Sequence, residues 1–137
     1  MATYLACTDG MDASESIGDL LETELASTDR VRVITIADTL DEQLQRALEA
    51  LAESVEDTGA SVDSELLRTS GGGGPVYQAL SEAARIDADM IVVGLRRRSR
   101  TKRYFSGTFS YDLLDRTSRP VTLVPLSGVT SEFDPSQ

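Results

Sequence analysis

Two apolar runs near the C-terminus restrict the fold of this chain most. MIVV (90–93) and VTLV (121–124) each read as a buried strand, and loop, helix start and second strand follow one another between them without a linker. The helical stretch opens at Gly107-Thr108, carries Phe109, Leu113 and Leu114 on one face, and is closed by Pro120. The first run stops at Gly94, where the backbone can turn or a ligand can approach closely.

The same alternation runs back to the N-terminus. TYLACTD is a short apolar strand ending at Asp9-Gly10, and the helix after it has Asp12 as its expected N-cap, with Ile17, Leu20, Leu21 and Leu25 on one face. VRVITIAD is the most β-branched run and predicts a strand ending near Ala37-Asp38. From Asp41 onward Leu44, Ala47, Leu48, Leu51 and Val55 keep helical spacing, Glu42, Glu49, Glu53 and Glu56 face water, and Gly59 ends the helix. SVDSELLR predicts a half-polar strand, the Gly71 to Gly74 run a loop at the ligand edge, and Pro75 the first turn of a helix burying Val76, Leu80, Ala83 and Ala84. Five strands alternating with helices predict one doubly wound α/β domain over 1–127, a five-stranded, mainly parallel sheet with helices on both faces, and a loose tail over 128–137. The fold should look like the dinucleotide-binding folds, without G-x-G-x-x-G after the first strand.

Composition narrows the chemistry. Histidine is absent, which removes Ser-His and Cys-His triads and histidine metal sites together. Cys7, the only cysteine, can form no intrachain disulfide and reads as an inert buried thiol. No apolar run approaches the roughly 20 residues that span a bilayer, so a soluble, cytoplasmic protein is expected. The net charge of −10 is uneven: six of the 13 cations are Arg96, Arg97, Arg98, Arg100, Lys102 and Arg103. Lys102 is the sole lysine, and an acidic, lysine-poor surface suits concentrated salt, so a halophilic source is expected. The basic run 96–103 can contact phosphate, pair with the protein's own carboxylates or a neighbouring subunit, or meet nucleic acid. The last is disfavoured, since the remaining surface repels a polyanion and only Tyr104 and Phe105 stand ready to stack.

Gly94 and Gly107 bracket that loop, the second opening a helix whose free N–H groups suit an anion. A turn glycine and a helix-starting glycine with no ligand would read the same way. A Walker A loop is excluded, because neither glycine is followed by lysine.

Gly94, Arg97, Gly107 and Thr108 have the spacing of the universal stress protein signature G-x2-G-x9-G-[ST], with Arg97 where the second glycine belongs, and IVVG and RPVTLVP resemble that family too. The resemblance covers essentially the whole chain. It implies adenine-nucleotide binding, with ATP the family ligand and AMP or ADP alternatives, in stress response or signalling. Asp9 would then orient base or ribose, Ile36 line the adenine, and Gly94, Gly107, Thr108 and Ser110 receive phosphate. Arg97 would either block the phosphates or clamp them through a bidentate contact. Mg²⁺ or Mn²⁺ would follow only with a triphosphate, held by its oxygens and water. No catalytic residue is assigned; a slow ATPase would have only Asp9 as a base. The alternative is a protein-interaction scaffold that binds no nucleotide, with Arg97 filling the phosphate space.

RPVTLVP also bears on assembly. Pro120 and Pro125 confine this strand to a sheet edge, and an uncharged edge needs covering. Members of the family dimerise through this strand, which implies a homodimer through 120–125; the C-terminal tail folding over the edge is the other possibility.

Overall fold

The structure, a computed structural model, describes residues 1–69, 73–95 and 107–126. Its elements are β1 (Thr3–Cys7), α1 (Met11–Glu24), β2 (Arg30–Ala37), α2 (Glu42–Glu56), β3 (Ser61–Arg68), α3 (Gly74–Arg85), β4 (Met90–Leu95), α4 (Gly107–Arg116) and β5 (Val121–Pro125). The strands lie in the order β3-β2-β1-β4-β5, and every neighbouring pair is parallel. The expected doubly wound sheet is therefore fully parallel, with β5 on one edge and the half-polar β3 on the other.

Side-chain alternation divides the core into two layers. Leu5, Cys7, Ile34, Ile36, Ile91 and Val93 meet α3 and α4 on one face. Ala6, Val31, Val33 and Val92 meet α1 and α2 on the other. The central strands are consequently apolar on both sides, which is why they read as continuous runs. In α2 the buried residues are Leu44, Ala47, Leu48, Leu51 and Val55, as their spacing requires, and Asp41 caps the helix by accepting the N–H groups of Gln43 and Leu44. Gly59 follows with φ +89°, a left-handed turn open to glycine.

Four local expectations need correction. Gly10, not Asp12, is the N-cap of α1; Asp12 lies in the first turn and accepts the N–H of Ala13 at 2.8 Å, where its charge still suits the positive helix end. In α3 the buried face is Val76, Ala79 and Ala83, with Leu80 at its border, while Ala84 is one step round the helix and exposed. In α4 Phe109 and Leu113 are buried four apart, which turns Leu114 to solvent. Finally, β4 does not stop at Gly94 but pairs with β5 through it, Gly94 opposite Val124 and Leu95 opposite Pro125.

Candidate functional site

The chain winds outward from β1 to β2 and β3, then returns across the sheet so that β4 lies on the other side of β1. Ligands in open parallel sheets bind at such a reversal, outside the C-terminal ends of the two strands. Here Cys7 of β1 is level with Val93 of β4, so the turn Thr8-Asp9-Gly10 and the segment Gly94-Leu95 continue two neighbouring strands at the same rim. Asp9 is buried at this rim with 4% of its surface exposed. Cys7 lies below it, and burial pushes its thiol up to about 12, with Glu82 adding to the shift, so no thiolate nucleophile is available near neutral pH.

Gly94 has a packing reason beside any ligand. A Cβ added there would lie 2.9 Å from Cδ2 of Leu126 and 3.4 Å from Cβ of Ala13, so its bare backbone lets α1 and the residue after β5 pack closely on β4. α4 begins at Gly107, with Thr108 next, and its first N–H groups have no partners within the helix. Ser110, one turn in, is buried and gives its hydroxyl to the Gly94 carbonyl at 3.5 Å, a long bond joining the start of α4 to β4. Ile36 is wholly buried in the layer under α3 and α4. The structure thus brings Asp9, Gly94 and Ser110 to one end of β1 and β4, and Ile36, next to last in β2, lies buried at the same end of the neighbouring strand. Arg97 and the basic run 96–103 lie outside the described residues, as does the tail 128–137.

Sequence reading missed the polar layer behind this turn. Thr8 Oγ1 lies 2.8 Å from Ser14 Oγ, and Ser14 donates to the Ala47 carbonyl at 2.6 Å, joining β1, α1 and α2. A hydroxyl beside Asp9 and another one turn into the helix were the available signals. Beside the same turn a cleft of about 440 Å³ opens between the first turns of α1 and α2, with Gly10, Met11 and Asp12 on one wall and Asp41, Leu44 and Arg46 on the other. Among the described residues no three Asp, Glu, Cys or His side chains gather as metal ligands, and no helix is long and apolar enough to cross a membrane.

A fully parallel, doubly wound sheet with an acidic turn and a helix start at its reversal point defines an α/β module of the kind that receives ligands at that rim. The chain belongs to the universal stress protein family, whose sequence model matches residues 5–125. Among solved structures it is similar to a universal stress protein from Archaeoglobus fulgidus, at 24% identity and a TM-score of 0.70, covering 90% of this chain and 98% of that one. A universal stress protein from the same organism in complex with dAMP is 22% identical with a TM-score of 0.68, covering 90% and 97%. An Arabidopsis thaliana family member with AMP bound is 13% identical with a TM-score of 0.67, covering 100% of both chains. No curated protein sequence matches this chain.

Proposed function

We propose that this protein binds an adenine nucleotide, ATP foremost, at the rim of β1 and β4 and acts as a nucleotide-responsive module of the cytoplasmic stress response. The observation that carries the reading is that the Asp9 turn follows β1, and Ser110 of α4 reaches Gly94 of β4, where the strand order reverses. It is supported by family membership and by relatives described with dAMP and AMP. Asp9 would hold base or ribose hydroxyls, and the N–H groups opening α4 at Gly107 and Thr108 would meet phosphate, helped by the positive helix end. Arg97 would either clamp the phosphates through a bidentate contact or block them. A divalent cation would enter with a triphosphate, bound mainly by its oxygens.

The test is mass spectrometry of denatured protein for carried-over nucleotide, followed by calorimetry with AMP, and with ATP and Mg²⁺. Heat at submillimolar ligand is expected; its absence for both ligands would remove this reading. The second reading is a scaffold that takes no nucleotide, which the turn of the Ser110 hydroxyl toward the Gly94 carbonyl supports. Arg97→Gly separates the two: gained ATP affinity marks an arginine that blocks, lost affinity one that clamps.

A further inference from the structure

We infer that Thr8 and Ser14 are positioning residues for the Asp9 turn, acting through a directional hydrogen-bond relay from Thr8 through Ser14 to the Ala47 carbonyl. The inference deepens the nucleotide reading and rests on it only for the consequence to affinity. Thr8, Ser14 and Ala47 are all buried, so water does not compete with these bonds. The relay's direction follows from counting protons. The Ala47 carbonyl can only accept, so the single proton of Ser14 lies on the 2.6 Å line to it. Ser14 Oγ must then accept from Thr8 at 2.8 Å. Thr8 also reaches the Gly10 carbonyl at 3.0 Å, which keeps a second lone pair beside the N–H of Ser14, so the Thr8 proton is shared between two acceptors at the start of α1.

With its proton committed, Thr8 Oγ1 presents lone pairs to the N–H of Gly10, 3.5 Å away. Asp9 lies between these two residues. The α1 cap has no side-chain hydrogen bond of its own, and Thr8 is the side chain that reaches the N–H of the cap residue, Gly10. Because the relay ends on α2, the Asp9 turn is held against two helices at once. A valine at position 8 would have the same shape but no relay.

The experiment compares Thr8→Val, Thr8→Ser and Ser14→Ala with the unmodified protein, by amide hydrogen exchange and by calorimetry with AMP. Exchange at Gly10 and Met11 should quicken at least tenfold in Thr8→Val and Ser14→Ala, remain unchanged at Leu5 to Cys7, and return to the original rate in Thr8→Ser. AMP affinity should fall about tenfold in the first two variants and be kept in the third. Unchanged exchange at Gly10 and Met11, or an equal rise across β1, would overturn the relay. If the unmodified protein binds no AMP while the exchange pattern holds, the nucleotide reading fails and the positioning of the turn stands.

Discussion

Leu126, one residue beyond β5, fills the space that Gly94 leaves by having no side chain. Its Cδ2 lies 2.9 Å from where a Cβ on Gly94 would stand, and Leu126 itself is 1% exposed. The glycine usually read as a ligand's point of approach is here also a contact between β4 and the chain leaving β5. Gly94→Ala should therefore destabilise the fold by about 1–2 kcal/mol through overpacking. Leu126→Ala should cost about 3 kcal/mol alone. The double variant should be more stable than the sum of the two predicts, because the added methyl enters the space vacated. Urea unfolding of the three variants measures this; strict additivity would show that the contact does not govern the substitution.

Thr35 presents the opposite problem, a buried hydroxyl with no partner among the described residues. Its residue is 1% exposed, and Oγ1 has no hydrogen-bond partner among the described residues. A buried hydroxyl left unpaired costs about 1–3 kcal/mol. Thr35→Val, which keeps the shape, should stabilise the protein by about 1 kcal/mol, raising Tm by about 3 °C. A lower Tm would mean that an ordered water completes the hydroxyl.

What could be read in advance, and what could not, divides along this line. The buried stripe from Leu44 to Val55 was legible because helix period alone sorts those residues. The strand order's outer member was legible from Pro120 and Pro125, since a missing N–H is a local fact. The reason for Gly94 was not, because its neighbour Leu126 comes from the far side of a helix and a strand. Thr8 and Ser14 looked like ordinary turn and helix residues until Ala47 of another helix supplied the acceptor. Arg32 sits inside the most strand-like run of the sequence, and nothing in that run announces its three carboxylate partners.

Those partners are Asp63 and Glu65 of β3 and Glu82 of α3, at 2.8, 2.6 and 2.8 Å from a guanidinium that is 9% exposed. Burial opposes the charge on Arg32, but the bonds from Glu65, Glu82 and Asp63 outweigh it and raise its pKa. Glu82 is held below the usual carboxylate range, first by its bond to Arg85, then by Arg32, against the opposing effect of burial. Asp29 is lowered by the backbone N–H groups of Ala26 and Ala2. A depressed folded-state pKa stabilises above the unfolded value and loses that contribution as pH falls through the folded one. Stability should thus decline from about pH 4 downward. Glu82→Gln should flatten part of that decline, and Arg32→Ala should cost about 2 kcal/mol near neutrality, since it removes charge-assisted bonds at a buried guanidinium while Arg85 still pairs Glu82. Chemical denaturation from pH 2 to 7 would expose an error in either sign.

Salt should act in the other direction. With 23 acidic residues against 13 basic ones, self-repulsion is relieved as the screening length shortens to about 3 Å at 1 M. Tm should rise between dilute buffer and molar KCl; a flat response would count against adaptation to concentrated salt.

The last prediction concerns the open side of β5. It pairs with β4 on one side only, and its Val121, Thr122 and Leu123 are half-buried by the chain's own packing. An uncharged parallel strand ending a sheet is a template for further pairing, and two-fold pairing of two copies would close it. We expect a homodimer, with sedimentation in high salt giving twice the chain mass. The choice of variant follows from burial. Val124 is 7% exposed and packs among the residues between the sheet and α1, so a charge there would test the fold instead of the assembly. Pro125 is better placed: it is the exposed last residue of β5. Pro125→Asp should halve the sedimenting mass while leaving the circular dichroism of the folded chain intact. A monomer for the unmodified protein at micromolar concentration would remove the dimer and leave the sheet order untouched.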